Sequence, residues 1–119
     1  MQSVVLISAK NDFLYEISKE YNNEDILYLC EENRLNIETG KGRIYITSDN
    51  NIADDYDSYE LDLLNGIFTD KVYFYLVNYS HNEALDNVIM KIHSSNSIYI
   101  DDDKGSIISI DEYKTRLQE

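Results

Sequence analysis

The order of hydrophobic and polar positions predicts alternating strands and helices, most clearly between Lys71 and Ile92. From Val72 to Val77 both alternating sets of positions are apolar or aromatic, which is typical of a strand covered on both faces. Ser80 and Glu83 follow with the S-x-x-E spacing of a helix capping box. An apolar stripe then recurs at helical spacing: Ala84, Leu85, Val88, Ile89 and Ile92. We therefore expect a central strand that leads directly into an amphipathic helix.

The N-terminal part predicts a strand, a helix and a second strand. Val4 to Ser8 is a short apolar run, and Ile26 to Cys30 is another. Between them, Asn11 or Asp12 is placed to cap a helix. One face of that helix is apolar: Phe13, Leu14, Ile17 and Tyr21. Asn22 and Asn23 mark its end.

Apolar and polar residues alternate in two segments that follow, and these segments predict a β-hairpin with one apolar face. Leu35 and Ile37 alternate with polar residues in the first segment, as Ile44 and Ile46 do in the second. The intervening ETGKG predicts a loop of several residues, longer than the tightest hairpin turns, which leaves the register open.

The segment from Asp49 to Asp70 is compatible with two periodicities. Asp54 or Asp55 is placed to cap a short helix, and Asn65-Gly66 would stop it. That helix would contain Tyr56, Tyr59, Leu63 and Leu64. Tyr59, Leu61 and Leu63 also alternate as in a strand. The Asn-Gly stop favours the helix.

The C-terminal part predicts a strand pair and a final helix. Ile98 to Ile100 and Ser106 to Ser109 flank an acidic turn with a glycine. Ser109 and Glu112 then repeat the capping-box spacing before a helix that extends through Leu117.

The complete order of elements indicates an α/β or α+β fold, with a single-layer mixed β-sheet packed with about three to four helices. The chain lacks proline and has few glycines, so we expect residues 1–119 to form one globular domain.

Charge narrows the classes of partner. The formal net charge is −13, which opposes binding to nucleic acid and to anionic membrane surfaces and favours a basic partner or cations. The N-terminal MQSVVLISAK predicts a first strand instead of a signal peptide, and no segment has membrane-spanning length, so we expect a cytoplasmic protein. A single cysteine excludes an internal disulfide.

Candidate catalytic chemistry is sparse. Cys30, His81 and His93 are the possible members of a nucleophilic site, but none stands in a recognisable signature. Phosphate-binding glycine motifs are absent, and Asp101 to Glu112 departs from a calcium loop because its glycine is one place early. We therefore expect no catalytic residues, no metal and no cofactor.

Surface recognition is the remaining function class. The segment from Asp49 to Asp70 contains no Lys or Arg, and it combines carboxylates, which steer a basic partner, with tyrosines, which supply contact area. The predicted partner-binding residues are Asp54, Asp55, Tyr56, Asp57, Tyr59, Glu60 and Asp62. Sequence leaves the oligomeric state and the partner's identity open.

The C-terminal IYIDDDKGSIISIDEYKTRL, together with the size and charge of the chain, resembles the small acidic immunity proteins of bacterial toxin systems. That resemblance implies tight, non-catalytic binding that occludes a basic, often nuclease-type, toxin surface. We therefore expect an immunity-type inhibitor. The alternatives are a phage-type nucleic-acid mimic and a small enzyme or ligand-binding domain, which a deep pocket at His81 or Cys30 would favour.

Overall fold

A seven-stranded antiparallel sheet organises the computed structural model, with strand order β2-β3-β4-β5-β1-β6-β7. The structure describes residues 2–9, 13–19, 26–30, 33–68, 71–92, 98–101 and 107–117, and for residues 26–30 and Thr39 it describes the backbone alone. The elements are β1 (Gln2–Ser8), α1 (Phe13–Ser18), β2 (Ile26–Cys30), β3 (Arg34–Thr39), β4 (Gly42–Ser48), a 3₁₀ helix (Asn50–Asp55), α2 (Ser58–Ile67), β5 (Tyr73–Tyr79), α3 (Asn82–Met90), β6 (Ile98–Asp101), β7 (Ile107–Ser109) and α4 (Ile110–Leu117).

The predicted single sheet with helices, and its α+β class, are confirmed, but the expected mixed pairing is wrong. All pairs between described strands are antiparallel. The reason is the position of β1. Helix α3 connects β5 to β6, which run in the same direction, as alternation of strand and helix suggested. However, β1 lies between these two strands and pairs antiparallel with both.

The main core lies on the sheet face covered by α1, α3 and α4. The hairpin contributes Leu35, Ile37, Ile44 and Ile46, all buried as their alternation predicted. The predicted apolar stripe of α3 is also buried: Ala84, Leu85, Val88, Ile89 and Ile92. Because these positions repeat with the period of their own element, local pattern was enough to assign them to the core.

A smaller core lies on the opposite face of the sheet, beneath the 3₁₀ helix and α2. It contains Ile7 of β1, Leu64 of α2 and Phe74 of β5. On the β3–β4 side of this face, the Arg34 guanidinium lies 5.1 Å from the half-exposed ring of Tyr45. The central strand β5 therefore has helices on both faces, although the second layer is thinner.

Two predicted loop features are corrected. The β3–β4 turn is tight, since Thr39 pairs with Gly42 and leaves only residues 40 and 41 outside the ladder. Gly42 has a φ of 136°, a backbone conformation that glycine adopts without a Cβ clash. The expected Ser80–Glu83 capping box is also wrong, because α3 is capped by His81 without a side-chain hydrogen bond.

Helix α2 follows the predicted helical period but differs at both ends. Its N-cap is Asp57, not Asp54 or Asp55, because a separate 3₁₀ helix takes up those two residues. Asn65 and Gly66 do not stop α2, which ends at Ile67. By contrast, the Ser109 cap of α4 is confirmed: its Oγ accepts from the Glu112 amide at 3.2 Å.

Some predictions fall outside the described residues. These are the Asn11 or Asp12 cap, Tyr21, the Asn22-Asn23 helix end, the Cys30 thiol, His93, residues 102–105 of the predicted acidic turn, and Ser106. The first residue of that predicted turn, Asp101, belongs to β6. Within the part of the chain that is described, no helix is both long and apolar enough to cross a bilayer.

Candidate functional site

The acidic segment predicted to bind a partner folds as the 3₁₀ helix and α2, on the sheet face opposite the main core. Asp49 caps the start of the 3₁₀ helix, and its Oδ1 accepts from the Asn51 amide at 3.0 Å. Its apolar side chains, Ile52 and Ala53, pack toward the smaller core. Since these residues face the sheet, the exposed Asp54 and Asp55 lie on the solvent side.

A capping box fixes the start of α2. The Asp57 carboxylate accepts from the Glu60 amide at 2.8 Å, and the Glu60 carboxylate accepts from the Asp57 amide at 3.3 Å. Both acids also lie in the positive field at the start of the helix. Asp57 and Glu60 thus have a structural task, and sequence analysis missed this D-x-x-E box although it recognised S-x-x-E elsewhere.

Tyr56 joins the acidic segment to the sheet through both its hydroxyl and its ring. Its hydroxyl donates to Asp101 Oδ2 of β6 at 2.9 Å, and its ring packs edge-on against Phe74 with centroids 5.6 Å apart. The side chain is half-buried. The structure therefore makes Tyr56 an attachment of the acidic segment to the sheet.

The outer side of α2 is apolar as well as acidic. Leu64 is 3% exposed and is the only fully buried residue of the helix, whereas Tyr59 is 76% exposed and Leu63 is 40% exposed. Tyr59 and Leu63 are four residues apart and thus lie on the same side of the helix, next to the exposed Asp62. We call Asp54, Asp55, Tyr59, Asp62 and Leu63 the α2 surface.

The α2 surface retains four of the seven predicted residues and adds one. Asp57 is exposed but occupied in capping, while Tyr56 and Glu60 are half-buried. Leu63 was expected only as a member of the helix face. No local signal identifies it, because the Asp57–Glu60 box fixes where α2 begins but not which side of the helix packs on the sheet.

An open cleft of about 660 Å³ lies between the β3–β4 turn and the start of α3. It is lined in part by Lys41, Arg43, Ser80 and His81. Ser80 Oγ and His81 Nδ1 lie 2.9 Å apart, the spacing of a nucleophile and its base. This is the feature on which an enzymatic alternative would depend.

The environment of Ser80 indicates a structural role for this pair. Ser80 Oγ accepts from the Arg43 amide at 2.9 Å, and the Ser80 amide donates to the Arg43 carbonyl at 3.0 Å. A Cβ on Gly42 would lie 2.7 Å from Ser80 Oγ, so the hydroxyl is also closely covered on that side. These contacts join the β3–β4 hairpin to the start of α3, and they fix the position of Ser80 Oγ.

A second cleft, of about 350 Å³, lies beside α3 and the end of α4, with Asp86, Met90 and Leu117 among its lining residues. Burial raises the pKa of Asp86 above its ordinary value, and the charge of Glu83 raises it further. Burial likewise raises the pKa of Tyr79, with Asp86 as the second cause. Across the described residues, no three His, Cys, Asp or Glu side chains are grouped to hold a metal ion.

Comparisons with known proteins give no relative from which a role could be transferred. No protein-family model matches the chain, and neither a curated protein nor a solved structure is significantly similar to it. The arrangement of its own residues is therefore the basis for any statement about function.

Proposed function

We propose that this chain is a non-catalytic interaction protein, an immunity-type inhibitor that binds a basic toxin through the α2 surface. The observation that carries the proposal is the exposure of Tyr59 and Leu63 on the outer side of α2, among the carboxylates of Asp54, Asp55 and Asp62. A tyrosine beside an aliphatic side chain supplies buried contact area, and surrounding carboxylates steer a basic partner. Following the resemblance, we place this interaction in the cytoplasm.

The net charge of −13 supports a basic protein as the partner, because the field of the whole chain accelerates its approach. The nucleic-acid-mimic alternative is less well supported. A mimic of a phosphate backbone needs rows of charge, whereas Tyr59 and Leu63 interrupt the carboxylates of the α2 surface with apolar groups. The enzymatic alternative is less well supported because Ser80 Oγ is held by the Arg43 amide.

The first experiment identifies the partner. The tagged chain is incubated with nuclease-treated lysate of the source organism at low and high salt, and retained proteins are identified by mass spectrometry. We expect one basic protein that is retained strongly at low salt and partly at high salt. Retention of nucleic-acid-binding proteins as a class would instead favour the mimic.

The second experiment tests the α2 surface with that partner. A triple variant, Asp54→Asn, Asp55→Asn and Asp62→Asn, should slow association about threefold to tenfold at low salt and weaken its salt dependence. Tyr59→Ala should mainly accelerate dissociation, by about tenfold or more. Unchanged kinetics in both variants would refute the assignment of this surface.

A matched control removes the same charge from the other side of the sheet. Glu16, Glu83 and Asp111 are exposed and belong to α1, α3 and α4, which cover the opposite face. Their triple replacement by the corresponding amides should slow association much less. Equal effects of the two triple variants would show that net charge alone, and no particular surface, guides the partner.

A further inference from the structure

The second cleft, of about 350 Å³, forms a groove between α3 and α4, on the sheet face opposite the α2 surface. We call it the α3–α4 groove. Helix α3 contributes Glu83, Asp86, Asn87 and Met90, and α4 contributes Leu117. The four residues of α3 follow one another at helical spacing and thus form one stripe along the groove. Carboxylates stand at the start of this stripe and an apolar side chain stands at its end.

The apolar end of the groove is open to solvent. Met90 is 43% exposed and Leu117 is 36% exposed, whereas Val88, Ile89 and Ile110 of the same two helices are buried in the main core. Apolar surface that remains in water gains free energy when an aliphatic group covers it. The unbranched side chain of methionine also adapts its shape to such a group. This end of the groove is therefore suited to an alkyl chain.

The acidic end of the groove is not neutralised by the fold. Glu83 and Asp86 are three residues apart on α3 and share one side of the helix. Within the described part of the chain, no ion pair reaches either carboxylate. Burial raises the pKa of Asp86, and the charge of Glu83 raises it further, so both effects oppose the ionised form. A cation bound in the groove would favour that form.

The other lining residues restrict the kind of cation. Lys41 and Glu83 line both clefts, which places them at the end of the groove nearest the β3–β4 turn. The Lys41 charge repels a cation at that end, so a bound cation should lie nearer Asp86. A metal ion is not favoured, because the described residues include no group of three potential metal ligands. An organic cation with an aliphatic chain matches both the carboxylates and the exposed Met90 and Leu117.

We propose that the α3–α4 groove binds a small aliphatic amine, with its ammonium at Asp86 and its alkyl chain over Met90 and Leu117. Asp86 and Met90 are about one helical turn apart, roughly 5.4 Å, so a chain of about four to six carbons connects the two ends. The volume of the groove suits a ligand of this small size. The inference goes beyond the proposed function and does not rest on it, because both the surface and the ligand are different.

The test uses n-pentylammonium as the probe. The protein is labelled with ¹³C at the methionine methyl groups, and because the chain has two methionines, Met1 and Met90, the spectrum contains two signals. The Met90 signal reports on the groove. Two control compounds separate the contributions to binding: n-pentanol retains the chain without the charge, and methylammonium retains the charge without the chain. All titrations are made at pH 7 and constant ionic strength.

We expect n-pentylammonium to shift the Met90 signal saturably and to bind at least about tenfold more tightly than either control compound. Asp86→Asn should weaken its binding at least about fivefold and leave that of n-pentanol unchanged. Leu117→Ala should weaken both ligands, by about threefold or more. Asp111→Asn is the matched control, since Asp111 is exposed on α4 and does not line the groove, and it should retain the original affinity. Circular dichroism verifies that the variants fold.

Four results would overturn the inference. Absence of a saturable shift of Met90 would show that the groove holds no amine. Equal affinity for n-pentanol would show an apolar groove without selection for charge, and equal affinity for methylammonium would show attraction by charge alone. Tighter binding of Nα-acetyl-lysine methylamide than of n-pentylammonium would identify a protein side chain as the occupant. These measurements need only the isolated chain, so their outcome is independent of the pull-down and of the α2 variants.

Discussion

Gly42 provides a sharp test of how the hairpin is joined to α3. Its φ of 136° is one that residues with a side chain rarely adopt. An added Cβ would lie 2.7 Å from Ser80 Oγ, 3.0 Å from His81 Nδ1 and 3.2 Å from Ala84 Cβ. Gly42→Ala therefore strains the backbone and also displaces Ser80, whose Oγ accepts from the Arg43 amide.

The expected cost can be worked out from these contacts. An unfavourable φ costs of order 1–3 kcal/mol, and loss of the Ser80 hydrogen bond adds about 1 kcal/mol. The lower entropy of the unfolded alanine chain returns about 0.4–1 kcal/mol. We expect Gly42→Ala to lower the free energy of unfolding by about 1–3.5 kcal/mol, measured by urea denaturation with circular dichroism.

Gly40 is the matched control in the same turn. A Cβ at Gly40 meets nothing within 4 Å, so Gly40→Ala should change stability by less than about 1 kcal/mol. In the Gly42→Ala background, Ser80→Ala should cost less than it does alone, because it also removes the closest contact. Equal stability of the two glycine variants would show that Gly42 does not lie as close to Ser80, His81 and Ala84 as the structure indicates.

Three further predictions concern the acidic segment and α3. Tyr56→Phe removes the hydrogen bond to β6 and should lower the free energy of unfolding by about 1–2 kcal/mol. The control variant Tyr59→Phe should leave the free energy of unfolding unchanged, because Tyr59 is exposed. Equal urea midpoints for the two variants would contradict the role given to Tyr56. Leu64→Ala should cost about 2–3 kcal/mol and expose residues 50–68 to limited proteolysis, while the exposed Leu63→Ala should cost less than about 0.5 kcal/mol. Burial raises the pKa of Asp86 in the folded state, so the contribution of Asp86 to stability is lost as pH rises from the ordinary aspartate pKa through the raised pKa. Asp86→Asn should therefore increase the melting temperature at pH 7 and make the melting temperature depend less on pH in that acidic range. An unchanged profile of melting temperature against pH would refute this.

Local pattern was sufficient for most individual elements. The bounds of β2 were predicted as observed, and the hairpin and α3 place their predicted apolar residues in the core. Ser109 caps α4 as its S-x-x-E spacing indicated. In each of these cases the deciding interactions lie within one element or between neighbouring strands, so the sequence period contains the information.

Contacts between distant residues decided what the pattern could not. Ser80 and Tyr56 illustrate this: the first accepts a hydrogen bond from Arg43, 37 residues away, and the second donates one to Asp101, 45 residues away. Neither partner is visible in the local sequence. As a result, a predicted helix cap proved to be a link to the hairpin, and a tyrosine of the predicted binding segment also joins that segment to β6.

The sequence by itself determined the charge of this protein, the type of most of its elements and the acidic segment that we propose as its binding surface. Only the tertiary structure decided that β1 lies between β5 and β6, and that Tyr59 and Leu63 face outward while Leu64 faces the sheet. The physical reason is that charge and periodicity are properties of neighbouring residues. Strand order and the outward side of a helix depend on which apolar surfaces, contributed by residues far apart in the sequence, pack against each other and are removed from water.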